Sequence, residues 1–251
     1  MSRTHSVRPV TIAIDGPSGA GKSTIARLLA ERLGVPYLDT GAMYRAIGLL
    51  AHRDGIRAPL GDDDRDRVTR IAEQQPVELV STPDGTRVMV GGEDLSEEIR
   101  SGEAAMMASA VSAVPGVRRA LVRQQQALAV RSGGVVEGRD IGTVVLPDAD
   151  LKVFLTASAN ERARRRTDDL RGRGEDVDVE SVREQQARRD RQDTTRGASP
   201  LQVARGSVVV DTTDLAPSEV VDRLLDELES RREQPLDTSG EEPVRSRNHG
   251  S

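Results

Sequence analysis

The 251-residue sequence contains no cysteine, no tryptophan, one phenylalanine and two tyrosines. Without cysteine there is neither a disulfide framework nor a thiolate metal site, so nothing in the chain calls for an oxidising compartment. Histidine is scarce as well: His5, His52 and His249 lie far apart, and no histidine metal site is expected. Long apolar runs are missing too. No stretch approaches the ~20 residues that cross a bilayer, and residues 1–10, MSRTHSVRPV, lack the apolar segment of a secretory leader. A cytoplasmic protein without membrane contact is therefore expected. The formal net charge of -5 speaks against bulk nucleic-acid binding, which favours a basic surplus. The scarcity of aromatics leaves few platforms on which bases could stack.

Lysine is nearly absent, since Lys22 and Lys152 are the only two among 36 basic residues. A sequence that otherwise uses arginine therefore draws attention to the place where it keeps lysine. What is present is enough for a core: 36% of the residues are hydrophobic, and the length suits one domain with insertions.

Val10–Asp15 is β-branched and apolar, as a buried parallel strand requires, and it leads through a glycine-rich turn into Ser23–Leu33, which has helical periodicity. Further short strands are predicted at Tyr37–Asp39, Val135–Glu137, Leu151–Leu155 and Val208–Asp211, with helical stretches between most of them. That alternation predicts an α/β fold of three layers, a parallel sheet wrapped by helices. Two regions depart from it. Between about 58 and 100 comes a polar helix, Asp62–Glu73, and then Val77–Val80 and Arg87–Val90 around Thr82-Pro-Asp-Gly85, a β-hairpin pattern. Residues 162–196 are dominated by Arg, Asp, Glu and Gln around Arg171-Gly-Arg-Gly174, with hardly a large apolar side chain to anchor them. Alone, such a stretch reads as a solvated helical hairpin; beside a nucleotide site it reads as a mobile, arginine-bearing lid. Residues 1–9 are expected to be flexible and 232–251 to form a disordered tail.

The strongest local signal is Gly16-Pro17-Ser18-Gly19-Ala20-Gly21-Lys22-Ser23, which satisfies G-x-x-x-x-G-K-[ST] between a predicted strand and a predicted helix. Glycines let successive amides face inward, and the helix start adds its positive dipole end, so the loop forms an anion nest for phosphates. Lys22 supplies a point charge for the β- and γ-phosphates, and Ser23 offers a hydroxyl to the magnesium that accompanies ATP. Switches, transporters, motors and small-molecule kinases all use this loop. The chain has no long second domain, no tandem motor half and no NKxD guanine motif, which leaves a compact kinase.

Such an enzyme must neutralise two phosphorylated molecules held head to head, so it needs arginines outside the loop. Asp39-Thr-Gly-Ala-Met-Tyr-Arg45 follows the second predicted strand and Glu137-Gly-Arg-Asp140 the third, both opening on the sheet edge where ligands bind. Each alone reads equally well as structural, the first as a helix cap with a surface arginine and the second as a turn.

With these motifs in hand, the chain resembles the bacterial-type cytidylate kinases. The likeness runs from GPSGAGKST at Gly16–Thr24 through LDTGAMYRA, IRSGE, ASAVSAVPGVR, EGRDIGTVVLPDADLKVFLTAS and RRDRQDTTRGASPL, and so spans roughly residues 10–230. It implies a P-loop kinase domain over 10–230, with a monophosphate-binding region at about 40–131 that includes a β insert at about 76–100, and a lid at about 162–196. It also implies that Thr40 and Arg45 meet the acceptor phosphate, that Ser109, Arg118 and Asp140 read the cytosine edge, that Arg139 and Arg196 stand near the transferring phosphoryl group, and that Arg189 and Asp193 contact the ribose. Glu137 and Thr40 stand where some relatives carry Asp and Ser, which keeps the functional group but changes reach or bulk. The expected partners are ATP with magnesium and CMP or dCMP, and a monomer is expected. UMP, AMP and shikimate remain as alternative acceptors, and a nucleotide-dependent RNA-binding module is the rival from outside the enzymes.

Overall fold

A computed structural model describes residues 9–82, 85–195, 197 and 199–233. Five short strands, β1 (Thr11–Asp15), β2 (Tyr37–Asp39), β6 (Gly134–Gly138), β7 (Leu151–Thr156) and β8 (Val208–Asp211), make one sheet in the order β2-β6-β1-β7-β8. All four pairings are parallel, with Ile14 opposite Glu137 and Val153, and Leu38 opposite Val136. The central strand is buried on both faces, which is why it reads as an unbroken apolar run. Helices α1 (Lys22–Leu33) and α8 (Pro217–Glu233) cover one face, where Ile12, Ile14, Leu29, Leu155 and Leu224 pack. Helix α5 (Pro115–Ser132) and a wide turn at Ile141–Val145 cover the other, around Ala13, Val136 and Ile141. The expected three-layer α/β architecture is present.

A second core lies to one side. It joins α2 (Thr40–Arg53), α3 (Asp62–Gln74), α4 (Gly102–Ser112) and α5 to an antiparallel sheet of β3 (Val77–Thr82), β4 (Gly85–Val90) and β5 (Glu93–Asp94), with Met43, Ile47, Leu95, Met107 and Leu121 inside. The predicted hairpin is there with Thr82 opposite Gly85; the two-residue β5 was not expected, being too short to leave a pattern. The charged segment forms two helices, α6 (Ala159–Arg171) and α7 (Val179–Thr195). Ala163, Leu170 and Val182 are its few buried apolar side chains. Helix α8 continues to Glu233, so the first two residues of the expected tail are helical. The rest of that tail, residues 234–251, and residues 1–8 lie outside the described residues.

Candidate active site

The glycine-rich loop leaves β1 at the carboxyl edge of the sheet and enters α1. Gly16 has φ 148°, and a Cβ there would stand 2.1 Å from the carbonyl oxygen of Leu155. At Gly19, φ 80°, a Cβ would come within 2.7 Å of the carbonyl oxygen of Arg162, so a side chain is excluded at both positions. Ser18, Gly19, Gly21, Lys22, Ser23 and Thr24 line a large cleft of about 1930 Å³. Gly16, Pro17 and Ala20 shape the turn from behind: Arg139 donates to the Gly16 carbonyl at 3.1 Å, Lys22 Nζ to that of Pro17 at 2.8 Å, and the Thr212 hydroxyl to that of Ala20 at 3.1 Å.

Lys22 and Glu137 are buried under the loop. Burial, reinforced by Arg139, pushes the Lys22 amine down, and burial together with Asp39 pushes the Glu137 carboxyl up. The Tyr37 hydroxyl donates to Glu137 Oε1, and the Ser23 hydroxyl is hydrogen-bonded within the same group. Ser23 and Glu137 thus present oxygen atoms side by side in the cleft.

Across the cleft, arginines meet aspartates. Asp39 caps α2, accepting from the Ala42 amide at 3.0 Å through one oxygen and from Arg45 at 2.8 Å through the other. The cap reading of this motif is therefore met, and Arg45 also lines the cleft. Thr40 donates to the Glu137 carbonyl at 2.7 Å, binding α2 to β6. Arg118 and Asp140 form a buried ion pair, with the Arg118 guanidinium 5.7 Å from the centre of the Tyr44 ring. Arg139 reaches Asp193 of α7 at 2.8 Å. Burial, with Arg139 beside it, pushes Arg189 down to about 10. The two charged helices lean directly on the loop: Arg162 donates to the Ser18 carbonyl at 3.2 Å and to Asp190 at 2.6 Å.

One continuous cleft therefore holds an anion nest at one end and arginines along the rest, an arrangement for two phosphorylated molecules. The sequence profile described as Cytidylate kinase matches residues 12–230. The chain belongs to the cytidylate kinase family. Among its relatives, the "Cytidylate kinase" of Caldanaerobacter subterraneus subsp. tengcongensis is 49% identical over 215 residues, 86% of this chain and 92% of that protein. Those of Mycobacterium avium (strain 104) and Bacillus velezensis are 48% and 44% identical, over 89% of this chain and 97% and 98% of theirs.

For a member of this family the cleft gathers most of the residues singled out in the sequence: Lys22, Thr40, Arg45, Arg118, Arg139, Asp140, Arg189 and Asp193 all line it. Ser109 is turned aside, its hydroxyl donating to Gln192 of α7 at 3.0 Å, while its α4 neighbours Ala105, Ala108 and Ser112 line the cleft. Arg196 lies outside the described residues. Sequence reasoning passed over Arg165, Arg166 and Arg173, which also line the cleft. Arg165 donates to the Thr212 carbonyl at 2.6 Å and ties α6 to the end of β8. Their signal was the arginine density of 162–173, which does not say which side chains turn inward. Tyr37 and Asp15 were likewise missed: Tyr37 opens β2 and lines the cleft, and Asp15 is the buried last residue of β1, directly before the glycine-rich loop.

Proposed function

We propose that this chain transfers the γ-phosphoryl group of ATP to CMP or dCMP, giving ADP and CDP or dCDP. The observation that carries the reading is the reach of Arg139, whose guanidinium touches the donor loop at Gly16 and the α7 residue Asp193, while its chain neighbour Asp140 holds Arg118. The donor's β- and γ-phosphates rest on the loop amides and Lys22. The monophosphate rests on Arg45 and Thr40, with its base toward Arg118 and Asp140. Cytosine offers an amino donor and two acceptors, and a carboxylate with a guanidinium matches that edge.

The acceptor's own phosphate oxygen attacks the γ-phosphorus in line as the bond to ADP breaks, so the protein supplies position and positive charge and no nucleophile. Arg139 and the Arg45 side of the cleft face the charge that spreads over the transferring oxygens, while Arg189 and Asp193 meet the ribose. Ser23, with the Glu137 carboxylate beside it, is an all-oxygen set that suits magnesium. The ion, when bound, adds positive charge at the β- and γ-phosphate oxygens. Helices α6 and α7 cover the loop and keep water from the γ-phosphate.

Among the described residues no helix is long and apolar enough to cross a membrane; a cytoplasmic, monomeric enzyme is part of this proposal. Its test is a panel of CMP, dCMP, UMP, AMP and shikimate in a coupled assay for ADP release. CMP and dCMP should give the highest kcat/KM. A higher value for AMP or shikimate would overturn the assignment, and retention on single-stranded RNA with no ADP release under any acceptor would replace it with a binding module.

A further inference from the structure

Asp15 ends β1 and precedes Gly16, and the transfer described above gives it no task. Its side chain is buried, with 3% of the residue exposed. Oδ1 accepts the N–H of Ile141 and Oδ2 that of Gly142, each at 2.8 Å. These two amides open the turn Ile141–Val145, whose own bonds run from Val144 and Val145 to the Asp140 carbonyl and from Leu146 to that of Ile141. The first two amides of the turn therefore need an acceptor from elsewhere. A Cβ at Gly142 would meet Asp15 Oδ2 only at an ordinary 3.4 Å; its tighter neighbours would be Ala204 Cβ at 3.2 Å and Lys152 Cδ at 3.3 Å.

The residues immediately before these amides are Arg139 and Asp140. Arg139 in turn donates to the Gly16 carbonyl at 3.1 Å. The end of β1 and the Arg139–Gly142 segment are thus tied twice, by a carboxylate gripping main chain in one direction and a guanidinium gripping a carbonyl in the other. Burial works against this carboxylate and pushes Asp15 up to about 6, Asp140 adding to the effect while the two amides and Lys22 oppose it. A fold that needed only acceptors here would do without the charge.

We infer that Asp15 is a positioning residue: it holds Arg139 and Asp140 in register with the glycine-rich loop, so that donor and acceptor phosphates meet in line. The inference rests on the transfer reading and adds the residue that aligns its two halves. Misplacing reacting groups by about 1 Å costs on the order of 10²-fold in rate, whereas binding of ATP to the loop does not pass through Asp15.

The test is Asp15→Asn, which keeps the shape but turns one acceptor oxygen into an NH2 facing an amide N–H. Wild type and variant are compared in kcat and in KM for ATP and CMP, in melting temperature, and in hydrogen exchange at Ile141 and Gly142. The expected result is a kcat lower by roughly 10²-fold with KM for ATP held, and faster exchange at the two amides. A variant that melts earlier yet turns over at the wild-type rate would make Asp15 a structural residue and overturn the inference. Should Asp15→Asn fail to fold, Asp15→Ser removes the carboxylate without adding bulk and leaves at least one of the two amides without its acceptor: the same fall in kcat supports the inference, and an unchanged kcat overturns it. Loss of the transfer reading is separately visible as a wild type that phosphorylates no monophosphate, and exchange at the two amides still reads the tie.

Discussion

The donor end of the cleft grips phosphate with main-chain amides and one lysine, whereas the acceptor end and the two covering helices do so with arginines already committed to aspartates: Arg45 to Asp39, Arg118 to Asp140, Arg139 to Asp193 and Arg162 to Asp190. The donor end is built from eight consecutive residues whose conformation is set by glycine. The acceptor end is assembled from α2, α5, β6 and α7, and each pair joins residues that the sheet and helices must first bring together, except the local Asp39–Arg45 pair. Backbone amides cannot be substituted away, so the loop's shape survives loss of its lysine. A buried pair behaves oppositely, since removal of one partner strands the other charge at a cost of about 3–5 kcal/mol.

The sharpest way to break this contrast is Lys22→Ala. Its ammonium is the loop's one side-chain charge, and burial already works against that charge, so the substitution should leave the melting temperature unchanged or raised. Turnover should fall about 10²- to 10³-fold, the scale for removing one stabiliser of transition-state charge, and equally for CMP and UMP. Steady-state kinetics with both acceptors, alongside a thermal melt, measure this. Near-normal turnover would mean that the loop is not the donor site.

Asp15 lies where the two ends join, and its titration gives the next largest effect. Folded, it titrates at about 6 against 3.8 for an unperturbed aspartate. Between those values the folded state holds the proton that the unfolded state has lost, so this group's contribution to stability falls as pH rises. Over the whole interval the loss is about 3 kcal/mol, from roughly two pH units at 1.36 kcal/mol each. The charged groups beside it, Asp140 and Lys22, act in opposite directions. The melting temperature of Asp15→Asn should therefore gain on that of wild type as pH rises from about 4 to about 7. A constant difference across that range would show that the carboxylate is ionised throughout.

How much of each end could be read in advance follows the same division. The loop, the strand before it and the helix after it are local, and the string Gly16–Ser23 with its flanks was enough to place them on the sheet edge. The hairpin of β3 and β4 was legible because two short apolar runs, Val77–Val80 and Arg87–Val90, flank the string Thr82-Pro-Asp-Gly85. The arginine end was legible as a set of motifs but not as a set of partners. Nothing near Asp140 in sequence announces Arg118, and helical position alone did not reveal that Ser109 turns toward Gln192. Asp15 escaped notice because it reads as the last residue of an apolar strand; its meaning comes from amides more than 120 residues away. Arg165 and Arg166 were hidden among neighbouring arginines, whose inward or outward facing is decided by how α6 lies on the loop and the end of β8.

The remaining prediction tests whether the acceptor end selects its base through a pair that is also structural. Asp140 accepts from Arg118 in a buried setting, and the proposed function has the same carboxylate accept from the cytosine amino group. Uracil presents a carbonyl at that place, so acceptor would face acceptor and a buried polar group would go unpaired. Such a mismatch costs roughly 1–3 kcal/mol, or about 5- to 150-fold in preference for CMP at tenfold per 1.4 kcal/mol. Asp140→Asn can turn either amide face to the base, so kcat/KM for CMP should fall and the CMP:UMP ratio should narrow. Because Arg118 loses its countercharge, the variant should also melt earlier, which Lys22→Ala should not. The two variants thus separate the ends of the cleft on two axes, base preference and stability. The measurement is kcat/KM for each monophosphate in wild type and both variants, with a melt of each. An Asp140→Asn enzyme that melts early but keeps the wild-type CMP:UMP ratio would reduce the Arg118–Asp140 pair to a structural strut and leave the choice of base to other residues of the cleft.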